Sequence, residues 1–512
     1  MSWFSPSRLV PSRLVPSLPP YSGPYPVGSC DVELSAADLP SPGSPPPNAP
    51  ATIAFRLFYP AAGSGPSRPI RWLPSPQKAH FAAYARFLGA GSLLSTAVSL
   101  APNVLYYTTI PARRNAPLLH PPGPAWPVLV FSHGLAGSRN AYSALLGELA
   151  SHGIIVVAPE HRDGSAPMAF VRAPDGGAST SVSYQIHPHK PTAEVYAARD
   201  AQVRIRGWEI GVLYAALEKI GEGAEMRNLD PNLGVGGVEE DVLGSFVGRL
   251  DLRPGRVAWA GHSFGAATVV TVVKSAYYGG EEMGGPFIPA RDAGIVRQIT
   301  KSSVLALLDM WALPLTSPSA EQFFEKQLPA YEPGGAGGKA VLSVLSEAFW
   351  RWHGNLNDTK VVLAPRTAVS DDDEKVEQER RGPYIFYPEA SAHLSQSDFG
   401  ILFPWITGRV LKATEPERYL RLNVRAILQV LRENGTVVAG YSPLEGEEPL
   451  DGGGEGKKGG DWRILNPEGG VRGWLPVDME VTSEDRRMSI GEETGGRNDE
   501  VRETEVLGDV KL

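Results

Sequence analysis

An α/β fold, with a mostly parallel central sheet and helices on both faces, is what this sequence predicts. Three observations carry that expectation. Six short apolar runs end in polar or glycine residues: Val128–Phe131, Ile154–Ala158, Val257–Ala260, Val304–Leu308, Val341–Leu345 and Tyr384–Tyr387. Near-continuous apolar runs suit strands that are covered on both sides, as in a parallel sheet. Helix-compatible stretches lie between several of them, and 42% of the 512 residues are hydrophobic, enough for a sizeable core.

In chain order, residues 1–21 are Pro- and Ser-rich and repeat Ser-Arg-Leu-Val-Pro twice, at Ser7–Pro11 and Ser12–Pro16. Two copies are too few for a solenoid, so this segment is expected to be disordered. Ile53–Tyr59 (IAFRLFY) reads as a strand between Pro/Gly/Ser loops. A helix over Ala141–His152 follows the first core run, one over Ala193–Ile220 the second, and one over Ala266–Tyr278 the third. Residues 170–190, 221–250, 277–300 and 366–382 read as insertions or loops. The last of these holds Asp371-Asp372-Asp373-Glu374, a charge run of the kind that solvates a loop. The α/β domain is thus expected over 22–440, and the Gly/Glu-rich 441–512 as a disordered tail. The high content of Gly (56) and Pro (47) agrees with long loops.

The segment Val257-Ala258-Trp259-Ala260-Gly261-His262-Ser263-Phe264-Gly265 carries the most chemistry. An apolar strand runs into Gly-x-Ser-x-Gly, and a helix-compatible run follows. That is the nucleophile elbow of an α/β-hydrolase fold, in which a sharp turn lifts the serine to the carboxyl edge of the sheet. Gly261 and Gly265 remove side chains where strand and helix approach. Ser263 is the expected nucleophile.

A serine needs a base, and in this fold the partners follow in the order Ser, acid, His. Of ten histidines only His353 and His393 come after the elbow. His393 follows the run Tyr384–Tyr387 across a short loop, where this fold delivers its base; His353 sits in an aromatic stretch that reads as a packed helix. Asp309 directly ends Val304–Leu308 and is placed to orient the imidazole. Glu347, after Val341–Leu345, is the rival acid. Val128–Phe131 runs into Ser132-His133-Gly134-Leu135, a loop that supplies a backbone N–H to an oxyanion hole; Leu135 is one expected donor and Phe264 the other. His133 is expected to brace that loop.

Several blocks, in this order, resemble the platelet-activating factor acetylhydrolases of the plasma/type II group, the lipoprotein-associated phospholipase A2 type. They are Gly23–Gly28, Arg56–Pro60, Phe131–Leu135, Ser151–Gly153, Glu160–Asp163, Gly261–Thr268, Leu308–Trp311, and Ala392-His393 with Asp398-Phe399 beyond. The resemblance spans roughly residues 22–435, and a fungal intracellular member fits it. It implies the triad Ser263, Asp309 and His393, with oxyanion donors Leu135 and Phe264, and so favours Asp309 over Glu347. It also implies a phospholipid substrate with a short or oxidised sn-2 acyl chain.

A formal net charge of −8 argues against nucleic acid as a partner. Cys30 is the single cysteine, so neither an intrachain disulfide nor a multi-cysteine zinc site can form. The Pro-broken start lacks a secretory h-region, and Ser2 replaces the glycine that myristoylation needs. An intracellular, cytoplasmic protein is the expectation, with no cofactor, no metal and no obligate protein partner. Phe87–Ala112 carries no charge. Its polar and proline content suits a buried, site-capping or interfacial helix better than a membrane span, so peripheral contact with lipid is expected there. Phe399–Val410 is a second apolar stretch of the same kind. A general carboxylesterase or lipase, and a catalytically silent lipid-binding protein, remain open as alternatives.

Overall fold

Among the described residues, ten strands form the central sheet: β1 (Val27–Ser35), β2 (Thr52–Pro60), β3 (Arg113–Arg114), β4 (Val128–Ser132), β5 (Ile155–Glu160), β6 (Ala258–His262), β7 (Leu305–Leu308), β8 (Val341–Val344), β9 (Tyr384–Pro388) and β10 (Trp474–Pro476). Their spatial order is β10-β9-β8-β7-β6-β4-β5-β2-β1-β3. The six strands predicted from apolar runs pair in parallel with one another, from β5 to β9, and the short β3 pairs in parallel with β1 at the far edge. β2 runs antiparallel to β5, β1 to β2, and β10 to β9. This is the α/β-hydrolase arrangement, seen here in a computed structural model that describes residues 15–63, 67–89, 91, 103–233, 241–280, 284–366, 382–440 and 464–481.

Five longer helices matter for the site: α1 (Gln77–Phe87), α2 (Ser143–Ser151), α3 (Ala193–Glu222), α4 (Phe264–Tyr278) and α5 (Pro416–Glu433). α2 packs with α5 and α3 packs with α4, and each pair also meets strands of the sheet. Every residue of β4 to β8 is buried, as double coverage requires. α3 begins at Thr192, whose hydroxyl accepts the Val195 N–H, and stops at Gly223 with φ 75°.

The chain leaves β4, turns to β5 on one side, and later returns with β6 on the other. Such a switch point opens a crevice at the carboxyl ends of the strands. Leu135 follows β4, Ser263 follows β6, Asp309 follows β7 and His393 follows β9, so the topology sends all of them to one rim.

Some expectations need correction. Part of the 441–512 segment belongs to the folded unit. Trp474 is buried, donates its indole N–H to the Ile464 carbonyl at 2.9 Å and stacks on Phe386, so β10 covers the edge of β9. Residues 15–21 also pack on the domain: Leu18 is buried and the Tyr21 hydroxyl donates to the Ser143 carbonyl. Residues 1–14, 441–463 and 482–512 lie outside the described residues. The stretch read as a 170–190 loop overlaps a hairpin, Met168–Val171 with Thr180–Ser183. The acidic run 371–374 and most of 90–102 also fall outside the described residues. Among the described residues no helix is long and apolar enough to cross a membrane.

Candidate active site

Ser263 sits between the end of β6 and the first residue of α4 with φ 56° and ψ −120°, a conformation that L-residues rarely adopt. Backbone bonds hold it there: its N–H donates to the Leu308 carbonyl at 2.8 Å, and its own carbonyl accepts the Trp311 N–H at 3.3 Å. The two glycines are sterically required. A Cβ on Gly261 would lie 2.5 Å from the Gly265 carbonyl, and one on Gly265 would run into the Ser132 carbonyl. The turn is therefore tight because strand, helix and neighbouring strand touch through bare backbone.

Asp309 is also left-handed, with φ 42°, and its N–H donates to the Val344 carbonyl of β8. Its side chain is fully buried. Oδ2 meets His393 Nδ1 at 2.9 Å, and Oδ1 accepts the Ser346 N–H. The carboxylate is thus fixed from behind and presents one oxygen to the imidazole. Glu347 turns elsewhere. It accepts the N–H of Ala390 and the guanidinium of Arg351, while its own N–H donates to Ser391 Oγ. Glu347 pins the loop that carries His393 and does not touch the ring. His353 is exposed at the start of the helix His353–Leu363.

The loop after β4, where an oxyanion donor is expected, approaches the elbow closely, since a Cβ on Gly134 would lie 3.1 Å from Ser263 Cβ. Gly137 N–H donates to the Gly134 carbonyl, closing a turn in which Ala136 takes φ 54° and Leu135 precedes it. Phe264, as the first residue of α4, has no carbonyl behind it in the helix to bond. Among the described residues neither the Leu135 nor the Phe264 N–H is tied to a loop carbonyl.

A buried polar network braces this loop. His133 Nε2 accepts the His161 N–H at 3.2 Å, which leaves Nδ1–H for the Gly134 carbonyl at 2.9 Å. Burial, helped by Arg206, pushes His133 down to about 3, so it stays neutral. Arg206 of α3 donates to the His133 carbonyl, Asp163 and Ser165, and lies over the Phe264 ring. His161 bonds Ser132 Oγ at 2.9 Å and Glu209 at 2.8 Å. This resembles a second Ser-His-Glu relay, but Ser132 and His161 are wholly inaccessible, so it can only hold the strand end. Burial pushes Glu209 up to about 8. Sequence reasoning missed Arg206 and Glu209. Their signal was a polar stripe on α3, Arg199, Gln202, Arg206 and Glu209, at helical spacing.

His262, Asp309 and His393 place donor atoms within 4.8 Å of one another, the one cluster among the described residues that could take a metal ion. Asp309 already serves His393 and Ser346, and the two imidazole rings lie 4.3 Å apart at 30°. Rings so disposed direct their in-plane lone pairs side by side and not toward a shared point. A hydroxyl, an oriented imidazole and two untied backbone N–H groups at one strand-end rim suit nucleophilic acyl transfer better. Asp309 and His393 are directly bonded. Ser263 stands beside them through His262, and its Oγ makes no hydrogen bond among the described residues. Such contacts often tighten only once substrate binds.

Comparison with known proteins shows the family. The sequence profile of the family described as platelet-activating factor acetylhydrolase, isoform II, matches residues 12–447. A Schizosaccharomyces pombe protein named "Putative phospholipase A2" is 29% identical over 451 residues, covering 81% of this chain and 92% of that protein. The platelet-activating factor acetylhydrolase of Cavia porcellus is 33% identical, over 51% of this chain and 53% of that one. A ferulic acid esterase from Streptomyces cinnamoneus superposes with a TM-score of 0.44 at 17% identity, over 81% of this chain and 92% of that chain, which is too loose to carry an argument.

Proposed function

The chain belongs to the platelet-activating factor acetylhydrolase, isoform II, family of carboxylic ester hydrolases, and on that premise we propose that it cleaves the sn-2 acetyl or short-chain ester of platelet-activating-factor-like phospholipids. Ser263 Oγ attacks the ester carbonyl while His393 Nε2 takes its proton. Asp309 holds the imidazole by Nδ1 and stabilises the imidazolium. The oxyanion of the tetrahedral intermediate sits against the Leu135 and Phe264 N–H groups. As the carbon–oxygen bond breaks, the lysophospholipid alkoxide takes the proton from His393 and leaves Ser263 acylated. Water, deprotonated by His393, then attacks the acyl-enzyme. The proton returns to Ser263 Oγ as the short acid departs. The observation that carries this reading is the 2.9 Å bond between Asp309 and His393, on the strand-end rim that also bears the elbow.

A lipid esterase draws substrate from aggregates, and the apolar rim supports that role. Phe87 and Leu88 at the end of α1, Ile186 after the hairpin, and Trp405 and Val410 beyond His393 are exposed, with Ile186 at 85% and Trp405 at 64%. α1 and the segment after His393 are neighbours, since Phe399 packs on Tyr84 and Trp72. Peripheral contact with a lipid surface through these residues is part of the proposal.

The test is a substrate panel: 1-alkyl-2-acetylglycerophosphocholine, p-nitrophenyl esters of rising chain length, and a long-chain triglyceride. Turnover is expected on the acetyl phospholipid and to fall as the acyl chain lengthens. Trp405→Ala is expected to lower hydrolysis of the phospholipid in vesicles and to spare p-nitrophenyl acetate. Preference for the triglyceride would instead identify a general lipase.

A further inference from the structure

His393 has aromatic neighbours on two sides. The Phe349 ring lies 4.5 Å from it at 10°, and the His262 ring 4.3 Å from it at 30°. Two rings that are each this close to a third and roughly parallel to it cannot share one face, so His393 is held between them. Phe349 is fully buried in the short helix Glu347–Arg351, whose Glu347 also fixes the His393 loop and whose Trp350 stacks on Tyr387 of β9. The sandwich is therefore anchored at both ends of that helix.

His262 has a fixed protonation pattern. The Gly134 N–H donates to the Tyr142 hydroxyl at 3.1 Å, which leaves the phenol hydrogen for His262 Nδ1 at 2.8 Å. The ring proton of His262 must then sit on Nε2. Burial, and next the nearness of His393, hold His262 well below the ordinary histidine range, so it remains neutral.

We propose that Phe349 and neutral His262 form an aromatic clamp that positions His393 and stabilises the imidazolium created when it takes the Ser263 proton, with Tyr142 joining the clamp to the oxyanion loop. A cation between two π faces is attracted to both, and more strongly where water is excluded. The clamp matters when the ring becomes charged, so its removal should be felt in kcat and not in KM. Both residues act through His393 and are positioning residues. The inference rests on the proposed triad.

The experiment measures kcat and KM on p-nitrophenyl acetate, together with the rate of fluorophosphonate labelling, for the full chain. Phe349→Leu keeps the bulk and removes the π face. It is expected to lower kcat and the labelling rate by about fivefold with KM unchanged. Phe349→Tyr restores the face and is expected to recover most of the loss. If Phe349→Leu fails to fold, the same comparison is made on the other side with His262→Leu against His262→Phe, and the aromatic variant is expected to be the faster of the two. Equal rates for the aliphatic and aromatic variants, or a loss confined to KM, overturn the proposal. Ser263→Ala serves as the separate control: full turnover there would remove the triad itself, whereas an inactive Ser263→Ala beside a wild-type-like Phe349→Leu would remove only the clamp.

Discussion

Asp309 and Glu347 each follow a strand of the sheet, yet only Asp309 reaches the His393 imidazole. The difference lies in the backbone. Asp309 is bent into φ 42° and tied to β8, so its carboxylate turns across to His393. Glu347 begins a helix and points along the rim to Ala390. Their substitutions should separate accordingly. Asp309→Asn is expected to cut kcat by about 10³–10⁴ with little change in KM, because the imidazole loses the acceptor that sets its tautomer. Glu347→Gln should cost less than about tenfold and about 1 kcal/mol of stability, through a loosened loop. Steady-state kinetics and urea melts on both variants check this. Ser263 was legible in the sequence because its spacing is itself the geometry: Gly261 and Gly265 are where backbone meets backbone. Phe349 and Glu209 were not, since their partners His393 and His161 are distant in sequence and become neighbours only through the fold.

At the scale of elements, the site is a set of strained turns held by stiff supports. Among the described residues nine non-glycine residues have positive φ, and four of them, Ala136, Ser263, Asp309 and Ala390, lie in the turns that carry the site. Such strain persists only where surrounding bonds over-determine it. α3 supplies those bonds to the loop after β4, and the Glu347–Arg351 helix supplies them to the His393 loop. Asp398 supplies a third set. Five residues beyond His393, it accepts the N–H groups of Ser143 and Ala144 at the start of α2 and the Trp72 indole, each at 2.8 Å. Burial pushes its carboxyl up to about 7 from 3.8, although all three donors pull the other way. The folded state therefore holds this proton more tightly than the unfolded chain. The linked stability is complete below about pH 4 and is lost as pH rises to about 7. Chemical melts from pH 5 to 8 should show wild type losing stability relative to Asp398→Asn across that window; parallel profiles would contradict the assignment. The helices α2, α3 and α4 were foreseen within a few residues because helix-compatible apolar stretches mark them between the strand runs. β1 and α5 were not foreseen, although Cys30, Val32 and Leu34 alternate, and Leu420, Val424, Ile427, Leu428 and Leu431 follow a helical period.

For the whole molecule, the six adjacent parallel strands β4 to β9 were legible because each is largely apolar, and the rim location of the site follows from their order. The edges were less legible. β10 is three residues long and follows a Gly-rich stretch, so its place depends on Trp474 finding Phe386, a tertiary event with no local pattern. The exposed apolar residues of α1, the post-hairpin loop and the segment after His393 lie on neighbouring elements, since Phe399 packs on Tyr84 and Phe87 on Tyr184. The proposed hydrolysis needs Ser263, Asp309 and His393 to act together. The most direct measurement is to label the folded wild type with a fluorophosphonate and map the adduct by mass spectrometry, alongside Ser263→Ala and His393→Ala assayed on a short-chain sn-2 phosphocholine. A single adduct on Ser263 is predicted, absent in Ser263→Ala and slowed by at least about a hundredfold in His393→Ala, with turnover lost in both while the fold is kept. An adduct on another residue, or turnover that survives in folded Ser263→Ala, would contradict it.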